Sequence, residues 1–321
     1  MKQQDFEKKY QGAWLDLEKL LKEAPFKDNN IALPRLYHQV SHHLALAKTR
    51  RYTFSLVSKL NRLVTECHHH YYDGSSNYRF QFLRFLFVGF PAALHRNKTY
   101  VLASLGIFLL PAIIMWGLCF TNPDIIYSLM AAPQVAEFEA MYAPGQDKFG
   151  RERTSETDIA MFGFYIQHNI GIAFQVFAGG ILACVGAVFF LVYNGLQLGA
   201  VAGHIVQVGY TQTFYSFVVG HGAFELTAIV YAGAAGLRLG MALIAPGSYR
   251  RLDALKWAAQ DAILIVYGAI FMLLIAAFLE AFWSSSGSIS PLVKYAVGAF
   301  FWIFVIGYSC SRGRGNSSHE Y

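Results

Sequence analysis

Charge is scarce in this chain. Lys, Arg, Asp and Glu make up 14% of its 321 residues, whereas an ordinary soluble domain carries about 25%. Too few charges are present to coat a globular surface in water, which excludes a plain cytosolic enzyme. A hydrophobic content of 55% excludes a disordered chain. Cysteine is scarce as well. Cys67, Cys119, Cys184 and Cys310 stand far apart with no CxxC spacing, so neither a disulfide framework nor a zinc site is read from them. No apolar run of spanning length precedes Thr99, so a cleavable leader is not expected and the first span directs insertion itself. Also missing are HExxH, GxSxG and an intramembrane Asp pair. The expectation is a protein that is not an enzyme and needs no cofactor.

What is abundant points to a membrane. The chain holds 27 Phe, 19 Tyr and 28 Gly, and glycine and interfacial aromatics are enriched in bilayer-spanning helices. The expected fold is all-α: a polytopic transmembrane bundle of about six spans, five being possible, preceded by a small helical cytoplasmic domain. Residues 1–98 form that domain, 99–310 the bundle with an acidic outer loop at 121–158, and 311–321 a polar tail. Trp14, Leu17, Leu20 and Leu21 recur at helical spacing over about Gln4–Lys22. Pro34 opens a second helix with Leu36, Val40, Leu44, Leu56, Leu60, Leu63 and Val64 as core positions, and Tyr72-Asp73-Gly74-Ser75-Ser76 is a turn. A third stretch, Tyr78–Phe90, ends at Pro91 and mixes aromatics with Arg79 and Arg84, as suits the headgroup level.

Topology follows from charge. Residues 1–98 hold 16 Lys and Arg, and residues 121–158 hold three against seven acids. The positive-inside rule therefore places the N-terminus in the cytoplasm and the acidic loop outside. The clear spans are Tyr100–Phe120, where Pro111 predicts a kink, then Ile181–Ile205, Phe214–Leu237, Ala258–Phe282 and Leu292–Tyr308. A weaker one, Ile159–Phe177, is interrupted by Gln167, His168, Asn169 and Gln175. Only if it crosses do Arg238, Arg250, Arg251, Lys256, Arg312 and Arg314 all fall inside, so six spans are expected.

Two patterns stand out in the later spans. Gly195, Gly199 and Gly203, and Ala232, Gly236 and Gly240 with Gly233 beside them, are small residues at spacing four. Such rows let helices approach closely, either within one chain or across a homo-oligomer seam. The second pattern is Gly220-His221-Gly222-Ala223-Phe224-Glu225, in which His221 and Glu225 share a helix face. An ionised carboxylate in mid-bilayer costs from roughly 2.5 kcal/mol upward. Together with Gln167, His168, Asn169 and Asn194, and with His204 and Glu280 nearer the outer ends, these residues form a candidate polar intramembrane layer. That layer reads as a structural hydrogen-bond network, as a proton or substrate path, or as a metal held by His221, Glu225 and another His. The third option lacks a full ligand set in one motif, so no metal is expected. Consecutive His68-His69-His70 point about 100° apart and cannot converge on one ion from one helix. The basic region is expected to meet anionic lipid and not nucleic acid.

The ordered run His168-Asn169-Ile170, Phe174, Gly179-Gly180-Ile181, Asn194-Gly195, Leu198-Gly199, His221-Gly222, Glu225-Leu226, Ala232-Gly233 and Gly236 resembles the stage II sporulation protein M (SpoIIM-like) family over roughly residues 95–310. The resemblance implies an all-helical multispan bundle without catalytic residues. It further implies a scaffold or anchor for membrane or envelope partners that remodel peptidoglycan. The basic region of about a hundred residues is a departure from the short sporulation members. The runner-up expectation is a transporter or channel using the polar layer.

Overall fold

The computed structural model describes residues 3–22, 32–50, 52–72, 78–145, 150 and 158–311. The Asp73–Ser76 turn, most of the centre of the acidic loop, the tail with Arg312 and Arg314, and the side chains of His68–His70 and Arg79 lie outside the described residues. No strand forms among those described. The chain divides into two compact units, Met1–Leu83 and Arg84–Tyr321.

The first unit is a bundle of α1 (Gln3–Lys22), α2 (Ala32–Thr49) and α3 (Phe54–Tyr72). Its core is made by Phe6, Trp14, Leu17, Val40, Leu44, Leu56, Leu60 and Leu63, each worth about 1.5–3 kcal/mol when fully buried. The helix expected from Pro34 through Val64 is two helices. The first ends at Thr49, and Thr53, whose carbonyl accepts from the Val57 amide, starts α3. The Gln3 side chain accepts from the Thr53 amide and closes this corner from α1.

The aromatic stretch also differs from expectation. It forms α4 (Tyr78–Arg84), a π-helical turn at Phe85–Gly89 and α5 (Phe90–Arg96). The helical run does not end at Pro91: Gly89 and Phe90 keep right-handed helical dihedrals, the Phe90 amide reaches the Phe85 carbonyl five residues back, and this wide turn accommodates the proline that follows. Phe90, Ala93 and Leu94 are buried in the core of the second unit, with the Phe90 ring seated on Gly268. The boundary between units therefore falls at Leu83–Arg84 and not at residue 98.

The second unit continues with α6 (Lys98–Thr121), which contains Pro111, a 3₁₀ turn at Pro123–Ser128, and α7 (Ala132–Tyr142). There follow α8 (Asp158–Gly179), α9 (Val185–Gln207), α10 (Thr211–Ile244), α11 (Arg251–Phe278) with a π-helical end at Leu279–Ser284, and α12 (Pro291–Cys310). Among the described residues five helices are long and apolar enough to cross a membrane: α6, α9, α10, α11 and α12. The helix α8 is not one of them by that measure, but it is unbroken over 22 residues, about 33 Å. At the centre stands α10, packed against α6, α8, α9, α11 and α12.

The small-residue rows are the joints of this bundle. Gly195, Gly199 and Gly203 of α9 face the carbonyls of Phe108, Ala112 and Trp116 of α6, and a methyl group on any of the three would collide with that backbone. Both sets of numbers rise together, so α6 and α9 run parallel. Two parallel neighbours require the chain to return along the bundle between them, and α8 is that return. Gly236 and Gly240 of α10 receive the tight α8–α9 turn at Gly180 and Cys184, and Gly233 receives Ser104 and Leu191. The rows thus serve joints within one chain. In that turn Ala183 and Cys184 take left-handed backbone conformations, so residues 181–184, expected inside a span, form the connection between the helices α8 and α9.

Candidate functional site

His221 and Glu225 lie one turn apart on α10, so both project to one side. The π-helical end of α11 brings Glu280 opposite them, and π-helical turns are frequent at functional sites. The ligating atoms of His221, Glu225 and Glu280 all lie within 4.8 Å of one another. They border a cavity of about 220 Å³ together with Asn194 and Gln197 of α9. Met130, Phe138 and Tyr142, from the segment between α6 and α8, line its other end. A wide π turn and a straight α-helix carry the three ionisable groups, so the site stands on rigid elements.

The surroundings hold these groups in place. His221 is buried, and its Nδ1 lies 3.1 Å from the Ser284 hydroxyl; Phe217 packs edge-on against its ring. The backbone carbonyl of the same Ser284 accepts from the buried Lys294 ammonium of α12 at 2.7 Å. Asn169 of α8 is buried and its carboxamide faces Glu225. Its amide nitrogen makes no hydrogen bond of good geometry among the described residues. Asn194 donates to the Phe190 carbonyl one turn back, at 2.8 Å.

Of the expected polar layer, then, Asn169, Asn194, His221, Glu225 and Glu280 come together. Gln167 and His168 do not: both are exposed on the outer face of α8, where His168 stacks on Phe164. His204 lies apart too, buried near the end of α9 and hydrogen-bonded to Glu139 of α7 at 2.7 Å. Sequence reasoning missed Gln197, Ser284, Lys294 and Glu139. Lys294 carried a readable signal, a lysine just inside an apolar run; Ser284 carried none.

With this geometry in view, similarity to known proteins can be stated. Residues 104–285 match the family described as stage II sporulation protein M. The chain belongs to that family. The match runs from α6 to the π-helical end of α11 and so includes every ionisable residue of the cavity. Residues 4–73 match a domain of unknown function, DUF8413, which coincides with the three-helix unit. No curated protein and no solved structure matches the chain. As a SpoIIM-family membrane protein it therefore joins two separately recognised parts, and its ionisable cluster lies in the family part. Chemically, two facing carboxylates repel each other when both are ionised, and a shared proton or a cation beside them relieves that repulsion.

Proposed function

We propose that this SpoIIM-family protein resides in the bacterial inner membrane, crosses it six times with its N-terminus in the cytoplasm, and transports a proton or small cation through the His221–Glu225–Glu280 cavity. The observation that carries the reading is the convergence of three ionisable side chains on one cavity inside a bundle of apolar helices. Intramembrane ionisable groups mark ion paths by default. A Glu that served only to fix helix packing would be tied off against a single partner, whereas Glu225 faces a second carboxylate across a polar cavity. The concentration of Lys and Arg before α6 and between α10 and α11 supports the topology.

A scaffold for envelope partners is the second reading, and the N-terminal unit favours it: residues 4–73 have a core and a family match of their own. One substitution separates the two. Glu225→Gln keeps shape and hydrogen bonding but loses the charge. In proteoliposomes loaded with a pH-sensitive dye, transport predicts that a proton gradient decays at least tenfold more slowly with Glu225→Gln than with the unaltered protein. A pure scaffold predicts no flux above empty liposomes for either, and unchanged partner recovery with the variant.

A further inference from the structure

We infer that His221, Glu225 and Glu280 together bind one divalent transition-metal cation of the zinc–manganese class. This deepens the transport reading and rests on it in one respect, that the cavity accepts a cation. The donor set argues the class. One imidazole nitrogen with two carboxylates suits a borderline ion such as Zn²⁺ or Mn²⁺, while Mg²⁺ and Ca²⁺ prefer oxygen alone. Charge argues the valence. Two facing carboxylates are offset better by a dication than by a monocation in a low-dielectric interior.

Geometry agrees on three counts. Ligands about 2.0–2.2 Å from a tetrahedral ion stand about 3.4 Å apart. The present limit of 4.8 Å is close to that spacing, and Glu225 and Glu280 both line the cavity in which the ion would sit. The outer shell is in place as well. A metal-ligating histidine ordinarily bonds through its other ring nitrogen to a fixed group, and here Nδ1 meets the Ser284 hydroxyl, which leaves Nε2 for the ion. In addition, the buried carboxamide of Asn169 reaches Glu225 from α8, placed to hold the carboxylate oxygen that does not coordinate. The cavity then has room beside Asn194 and Gln197 for the waters that complete the coordination shell.

The test uses the full chain in lipid nanodiscs, without a histidine tag and with His68, His69 and His70 each changed to Ala to remove a competing binder. After chelator treatment the protein is equilibrated with ZnCl₂ or MnCl₂ at micromolar free metal, desalted, and its metal counted by mass spectrometry. The expected result is one ion per chain and a rise in Tm with metal. Glu225→Gln and Glu280→Gln, on different helices, each reduce occupancy at least tenfold, while His204→Gln leaves it unchanged. Size-exclusion profiles identify any variant that fails to fold, and the other variant then decides. Undiminished binding in both Gln variants, or no metal at all, overturns the inference. Proton flux that needs Glu225 without bound metal overturns the metal and leaves the transport reading standing. A bound ion with neither metal nor proton flux keeps the site and overturns transport.

Discussion

At the scale of single residues, protonation sets the behaviour of the N-terminal unit. His43 is buried among Phe6, Tyr10 and Trp14, and its Nδ1 accepts from the Trp14 indole N–H at 3.2 Å. Burial, with His42 adding to it, lowers the pKa of His43 below its ordinary 6.5. Above that value the imidazole is neutral in both folded and unfolded chains and its contribution is fully present. Below it the unfolded chain binds the proton more readily, so stability falls as pH drops toward the lowered folded value. Hydrogen exchange in α1 and α2, corrected for intrinsic rates, should show protection lost between pH 7.5 and pH 5. His43→Gln, which keeps an acceptor for Trp14 and cannot titrate, should flatten that dependence. The same scale shows why the polar layer was only half legible. The i, i+4 spacing of His221 and Glu225 is a local fact and readable. Which of Gln167, His168 and Asn169 faces inward depends on the rotation of α8, since successive residues point about 100° apart. Only Asn169 ended up facing the bundle.

At the scale of elements, the α6–α9 joint carries the clearest energetic prediction. In a bilayer no hydrophobic drive separates helix from lipid, so close backbone approach is what holds two spans together. Gly199 sits against the Ala112 carbonyl, whereas Gly117 of α6 has nothing within 4 Å of where a methyl group would go. Gly199→Ala should therefore cost about 1–3 kcal/mol by forcing the helices apart, lowering Tm in detergent by several degrees. Gly117→Ala should stay within about 0.5 kcal/mol of the unaltered protein. Comparable losses in both would mean that glycine flexibility, and not the joint, is being measured. Spacing four announced the rows, and their partner elements could not be read from sequence. Two other features left no sequence trace. The α2–α3 corner has no Gly or Pro, because a Thr at the helix start and a Gln from α1 make it. The left-handed α8–α9 turn is built from apolar residues that read as membrane span.

At the scale of the whole molecule, the number of crossings turns on α8. Only if α8 crosses do Arg238, Arg250, Arg251 and Lys256 fall on the same side as the basic N-terminal residues. Packing bears on the same point without charge. If α6 and α9 both cross, their parallel run needs an odd number of crossings between them, and α8 is the helix available. Its two ends agree. The first turns lie beside Phe278 and Phe282 at the end of α11, where Trp283 also meets Gly220 of α10, and the far end meets Gly236. Between those two glycines α10 rises by about 24 Å, most of a hydrocarbon core of about 30 Å. Mean hydropathy ranks α8 below the five apolar helices because its polar residues dilute the average, and three of them, Gln167, His168 and Gln175, face outward. The prediction is a labelling pattern. In a background without native cysteines, single cysteines near Gln146, between Ser248 and Arg251, and near Ser317 are treated with a membrane-impermeant maleimide from outside the cell. Only the first should react. Reaction at all three would leave α8 uncrossed and place the Arg250–Arg251 loop outside. It would also contradict the parallel α6–α9 joint on which the position of the cavity depends.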